Sequence, residues 1–151
     1  QRQMCIRDRY YKKAIEYDEK YEKAYFFLAN AYDELGNKEE AIKNYKEVLK
    51  INPKDLWANA NLGCIYDELG DTKLALEYME KALEIDSKHF RILFNMGVFN
   101  KKLGNLKLAE DYWKSGTDEK HQPKICEMLV DGDIVVVEIV KEINANIKLL
   151  R

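Results

Sequence analysis

The sequence predicts an all-α solenoid, a stack of antiparallel helix pairs, and three observations carry that prediction. Residue classes recur every 34 positions: Gly36, Gly70 and Gly104; Gly63 and Gly97, with Ala29 one period earlier; Leu28, Leu62 and Met96; Leu35, Leu69 and Leu103; Ala41, Ala75 and Ala109; Tyr11, Tyr45, Met79 and Trp113. Within a period the apolar residues lie three and four apart, as in Tyr25, Leu28 and Tyr32, then Ala41, Tyr45, Val48 and Leu49, which marks one face of a helix. Between these stretches stands Leu-Gly-Asn or Leu-Gly-Asp, a glycine where a helix ends and a capping residue where the next begins. A fixed period of this length is the signature of a repeat architecture.

Residues 1–9, Gln-Arg-Gln-Met-Cys-Ile-Arg-Asp-Arg, lie outside the register, and three of the chain's five arginines fall in them. A DNA string that encodes them resembles a transposase adaptor used to prepare sequencing libraries, so they are expected to be translated adaptor, with a natural N-terminus as the alternative. Residues 10–21 then form the second helix of a unit whose first helix is missing. Three full units come next, Glu22–Asp55, Leu56–His89 and Phe90–Pro123. Each is a helical hairpin in which Ala29, Gly63 and Gly97 on the first helix, and Ala41, Ala75 and Ala109 on the second, permit close approach. A large side chain at these positions is expected to cost about 1–3 kcal/mol by overpacking. Pro53 closes the first unit because it cannot continue a helix.

After Trp113 the register decays. Pro123–Val130 reads as a short helix and Asp133–Leu149 as a longer one, with Ile134, Val137, Val140, Ile143 and Ile147 on one face and Asp133 as its cap. A β-hairpin around Asp131-Gly132 is the rival reading; the continuation through Ile143 and Ile147 favours helix. Residues 124–151 are thus expected to cap the exposed apolar end of the stack.

The order of a large residue, Leu, a small residue, Tyr, Ala, an aromatic, a small residue and Pro resembles the tetratricopeptide repeat. Tyr25, Leu28, Ala29, Tyr32, Ala41, Tyr45, Val48 and Pro53 carry it in the first full unit, and Asn59, Leu62, Gly63, Tyr66, Ala75, Met79, Ala82 and Ser87 in the second. The third is degenerate: Asn100, Gly116 and His121 replace the tyrosine, the small helix former and the proline. The resemblance covers residues 10–121 and implies a right-handed superhelix of tetratricopeptide type.

Several function classes lack support. The formal net charge is −2, with no basic surplus to hold a phosphate backbone, and no apolar run approaches the ~18 residues of a membrane span. The three cysteines form no close pair, against both a disulfide scaffold and a structural zinc site. His89 and His121 fall at inter-unit turns, where solvation is the ordinary state, and Ser87 and Ser115 have no base in phase. Asp131-Gly132-Asp133 has the wrong following residues for a calcium loop. Cys64 and Cys126 read as small packing residues. No cofactor, metal site or catalytic group is expected.

The resemblance also implies that the first helices line a concave groove that holds a peptide or a helix of another protein. Projected onto this chain, its wall contains Lys23, Phe26, Asn30, Asp33 and Glu34; Trp57, Ala60, Asn61, Cys64 and Asp67; and Arg91, Phe94, Asn95, Val98 and Lys101. Aromatics supply apolar anchors and amides hold backbone. Charge changes along this wall, from Asp33-Glu34 and Asp67-Glu68 to Lys101-Lys102, so the partner is expected to change sign in step. Some tetratricopeptide domains grip a C-terminal carboxylate with Lys and Asn on one helix, Asn on the next, then Lys and Arg. Asn30, Asn61 and Arg91 match that clamp in type or charge, whereas Phe26 and Asn95 stand where two of its cations belong. The expected function is a protein-interaction scaffold, not an enzyme, with protein or peptide partners and no nucleic acid. The alternative is a recruiting module of a larger enzyme, and a third reading is self-association through the 10–21 face.

Overall fold

The computed structural model describes residues 2–116, and these form seven α-helices and no strand: α1 (Arg2–Tyr17), α2 (Glu22–Glu34), α3 (Lys38–Ile51), α4 (Leu56–Glu68), α5 (Thr72–Ile85), α6 (Phe90–Lys102) and α7 (Leu106–Gly116). The expected helices of 124–151, the rival hairpin, His121 and Cys126 lie outside the described residues. The helix that was expected to begin at Tyr10 begins at Arg2. No glycine or proline interrupts 2–9, so once the Tyr11–Tyr17 turns pack on α2, helix propagation carries through residues of ordinary propensity.

Each unit's corner arises from its Leu-Gly-Asn/Asp signature. Gly36, Gly70 and Gly104 have φ of 76°, 88° and 83°, a left-handed conformation that glycine adopts without Cβ strain. The residue after each glycine donates its N–H back to Tyr32, Tyr66 and Asn100, each at 2.9 Å, while the glycine N–H reaches Asp33, Asp67 and Lys101. This pair of bonds satisfies helix-end carbonyls in a Schellman arrangement. The same residue then opens the next helix: Asn37 Oδ1 accepts from Glu40 N at 3.3 Å and Asp71 Oδ1 from Leu74 N at 3.1 Å, as an N-cap does.

The turns between units are equally regular. Asp18, Asn52 and Asp86, 34 residues apart, each accept the N–H two residues on through the side chain, at 2.9, 3.2 and 3.1 Å. Such local bonding favours turns over helix. Asp55 then caps α4 through Ala58 N at 2.6 Å.

Within units α2 packs on α3, α4 on α5 and α6 on α7, and the two helices of a pair run closer together than helices of neighbouring units. Tyr45, Val48, Leu62, Ile65, Met79, Ala82, Ile92 and Met96 are fully buried between them. The small-residue sites work as expected. A Cβ on Gly63 would lie 3.0 Å from Met79 Cε, and one on Gly97 only 2.1 Å from Trp113 Nε1. Because position 97 has no side chain, the Trp113 indole reaches across and donates to the Phe94 carbonyl at 3.2 Å.

Neighbouring units are joined by a recurring pair. Lys12 lies over Tyr32 and Lys46 over Tyr66, both 5.7 Å from the ring centroid. One period later the partners are Glu80 and Asn100, so cation and ring are lost together. Asn100 is buried and instead donates to Met96 O at 2.8 Å and accepts from Asn105 at 3.2 Å.

Candidate functional site

Because every first helix enters its unit through the same turn and leaves through the same corner, α2, α4 and α6 run side by side in one direction. Residues at positions two, five, six and nine of each therefore share one face. Two contacts at a sequence separation of 31 stitch that face together: Asn61 Nδ2 donates to Asn30 Oδ1 at 3.4 Å, and Asn95 Nδ2 to Cys64 Sγ at 3.5 Å. In both, position six of one helix meets position nine of the helix before it.

The first contact is reinforced from below. Tyr45, fully buried on α3, donates its hydroxyl to Asn30 Oδ1 and receives Asn61 Nδ2 at 2.9 Å. Burial pushes the Tyr45 phenol well above its ordinary range, so it stays a protonated donor. Asn30 and Asn61, expected as ligands for a guest backbone, are thus already fixed in orientation. The Asn30 amide hydrogens and the Asn61 carbonyl oxygen have no partner among the described residues. Met79 replaces the tyrosine in the next unit, and there Asn95 has only the thiol of Cys64. Burial raises that thiol to about 11, with Arg91 opposing the shift, so Cys64 is a neutral packing group at physiological pH.

Aromatic rings occupy each first helix. Phe26 sits edge-on to Tyr45 at 5.8 Å and to Phe27 at 5.9 Å, and Phe27 stacks on Tyr11 at 5.6 Å. Phe27, at the phase of Asn61 and Asn95, was missed by the sequence projection and is 46% exposed. Trp57 is 41% exposed; the Arg91 guanidinium lies over its ring at 5.6 Å and His89 meets it edge-on at 5.1 Å. His89 is therefore no solvated turn residue: its ring packs against Trp57, and its buried Nδ1 has no hydrogen-bond partner among the described residues. Phe94 is half-buried beside Phe90, with centroids 6.0 Å apart, while Ala60 is buried in, and Val98 half-buried against, one apolar cluster. Lys23 lies at the phase of Trp57 and Arg91.

The charged residues at the far ends of these helices are mostly engaged with one another. Lys38 binds Asp33 at 2.7 Å and Glu68 at 2.5 Å. Asp67 accepts from Thr72 at 2.9 Å and pairs with Lys102, and Lys101 is exposed. Lys102, expected as part of a basic end, instead neutralises the acidic group one unit earlier. Among the described residues no three His, Cys, Asp or Glu side chains converge as metal ligands, and no helix is long and apolar enough to cross a membrane.

Residues 22–55 and 58–89 each match the family model described as the tetratricopeptide repeat. The chain carries tetratricopeptide repeats. Its helix array is similar to solved structures of such arrays. One is the crystal structure of MamA, with 26% identity, TM-score 0.71, and coverage of 78% of this chain and 68% of that one. A second crystal structure of MamA has 26% identity, TM-score 0.69 and coverage of 78% and 63%. The structure of YrrB, described as a TPR protein with an unusual peptide-binding site, has 24% identity, TM-score 0.69 and coverage of 77% and 60%. The chain thus spans between 60% and 68% of the length of these structures. No curated protein matches it in sequence. The degenerate unit from Phe90 lies outside both matched segments, yet α6 and α7 repeat the tetratricopeptide hairpin with Gly97 and Trp113 at its close contact.

Proposed function

We propose that this tetratricopeptide array is a protein-interaction scaffold that holds a segment of another polypeptide on the face formed by α2, α4 and α6. One observation carries the reading: three parallel helices place Phe26, Trp57 and Phe94 beside Asn30, Asn61 and Asn95, with the amides pre-oriented by bonds of their own. Partly exposed aromatics beside fixed amides make an interface whose side chains need little ordering when a guest arrives. The likeness to YrrB, described as having a peptide-binding site, supports the same reading. The groups on this face suit binding: aromatic rings and amides predominate, and burial holds the Cys64 thiol neutral. A carboxylate clamp is disfavoured, since Asn30 and Asn61 serve Tyr45 and Phe26 stands in place of a cation.

The test is an unbiased peptide display against the full chain, followed by affinity measurement on Phe26→Ala, Trp57→Ala and Asn95→Ala. Affinities near micromolar, about −8 kcal/mol, are expected, with losses in all three variants. Selected peptides that bind all three variants as tightly as the parent would place the interaction elsewhere and end the reading.

A further inference from the structure

The corner between α6 and α7 departs from the other two in chemistry while keeping their backbone. In the first unit Lys38 Nζ reaches back across the corner to Asp33 Oδ1 at 2.7 Å, and in the second Thr72 Oγ1 does the same to Asp67 Oδ1 at 2.9 Å. In the third unit these two positions hold Lys101 and Leu106, which cannot form that clasp. The corner still closes as the others do: Gly104 has φ 83°, and the Asn105 N–H donates to the Asn100 carbonyl at 2.9 Å. Folding therefore does not account for Lys in place of Asp and Leu in place of Lys or Thr.

The exchange leaves an amphipathic surface. Residues 101–108, Lys-Lys-Leu-Gly-Asn-Leu-Lys-Leu, are all exposed. An exposed leucine before the corner glycine is common to all three units, as Leu35, Leu69 and Leu103, and distinguishes none of them. Leu106 and Leu108 do set this corner apart. They are 64% and 45% exposed, where the first unit has Lys38 and Glu40 and the second Thr72 and a half-buried Leu74. With Gly104, Asn105 and Lys107 they line one open concavity. Large apolar side chains exposed as a group, not singly, mark an interaction site.

Charge gives the sign of the partner. From Ser87 to Ala109 the sequence has Lys88, Arg91, Lys101, Lys102 and Lys107 and no carboxylate, within a chain of net charge −2. Acids from neighbouring elements are engaged: Asp67 with Lys102 and Thr72, Glu68 with Lys38, and Glu110 with Lys114. Lys101 and Lys107 have no ion-pair partner among the described residues, Asp111 one turn along α7 included. Two unneutralised cations beside two leucines are complementary to carboxylates flanking a large apolar side chain. Because these leucines line a hollow, a side chain entering it fits better than a bilayer, which takes up a continuous apolar helix face.

We infer that the α6–α7 corner is a second docking site, for a partner-protein segment in which a large apolar residue is flanked by aspartate or glutamate. It lies at the C-terminal end of α6, whereas Trp57 and Arg91 stand at the N-terminal ends of their helices, so the two sites can be tested apart.

The test uses the full chain and labelled synthetic peptides of equal length, read by fluorescence anisotropy. The first carries leucines flanked by aspartates; the second replaces every aspartate by lysine, and the third every leucine by serine. The first is expected to bind about tenfold or more tightly than either control, and to weaken as salt is raised. Lys101→Asp with Leu106→Thr rebuilds the corner of the second unit. This double variant should unfold in urea no earlier than the parent, yet lose about tenfold or more in affinity. Leu106→Ser, which leaves the charge unchanged, should lose about threefold or more, and Trp57→Ala less than about twofold. The inference is overturned if both corner variants bind like the parent, if a control peptide binds as tightly as the first, or if Trp57→Ala loses as much as the double variant. Failure of all three peptides to bind overturns it as well. Without peptide binding, co-sedimentation with phosphatidylserine vesicles would assign the corner to a membrane. Self-association abolished in the double variant would then assign it to a second copy of the chain, and either outcome replaces the inference.

Discussion

Gly97→Ala tests the packing logic of the whole array at its tightest point. The new methyl carbon would lie 2.1 Å from Trp113 Nε1 and 2.4 Å from Cδ1, where 3.4 Å is an ordinary contact. The indole must therefore retreat by 3.4 − 2.1 = 1.3 Å, and in doing so it gives up its bond to the Phe94 carbonyl. Overpacking of this kind costs about 1–3 kcal/mol and the lost hydrogen bond about 1 kcal/mol. Against these stands a gain of about 1 kcal/mol for replacing a mid-helix glycine by alanine. The net is a destabilisation of about 1–3 kcal/mol, localised to the α6–α7 unit because repeats contact only their neighbours. Urea unfolding followed by circular dichroism measures it, and hydrogen exchange of α6 and α7 amides localises it. In a Trp113→Leu background the same change should become neutral or stabilising, because the clashing indole is gone. Gly63→Ala should be milder, since the methyl meets Met79 Cε and Cγ at 3.0 Å and the Ala75 carbonyl oxygen at 3.1 Å, each only a few tenths of an ångström short of an ordinary contact. A Gly97→Ala chain as stable as the parent, or an equal penalty in both backgrounds, would refute this account of the contact.

Three further outcomes concern the face itself. Tyr45→Phe removes the hydroxyl joining Asn30 and Asn61, and should cost about 0.5–1.5 kcal/mol of stability; a larger loss of peptide affinity than Cys64→Ala produces would show that the amides act as a fixed pair. Alkylation of Cys64, with Cys5 and Cys126 replaced by serine, should be slow at neutral pH and climb steeply as pH approaches about 11. The same raised value makes the folded state lose ground as pH rises from 9.0, where the unfolded thiol ionises, towards about 11; fast labelling at pH 7 would contradict it. Lys101→Glu should change affinity for a charged guest and its salt dependence, whereas Lys102→Glu should act first on stability, by under about 1 kcal/mol, because it loses Asp67.

Much of the fold is written in local chemistry and could be read without coordinates. Leu-Gly-Asn/Asp specifies a corner because only glycine adopts a positive φ cheaply and only a short polar side chain both accepts the helix-end geometry and caps the next helix. The small residues at 29, 63 and 97 are legible for a similar reason, since a helix pair that packs closely needs them. The start of α1 at Arg2 was not legible, because the repeat register is silent there and general helix propensity decides. The face was legible in outline and misread in detail. Phase determines which residues share it, but which are already occupied depends on contacts offset by 31 residues, three short of the period. Asn61 with Asn30 and Asn95 with Cys64 are of this cross-unit kind. The period less three is the signal that would have found the amide contacts. His89 was misread because solvation was inferred from its place in a turn, while its neighbour across the units is Trp57.

Asn37 and Asp71 each finish one helix and begin the next with no residue to spare. A corner without slack fixes the angle between its two arms, so each hairpin behaves as a stiff leaf.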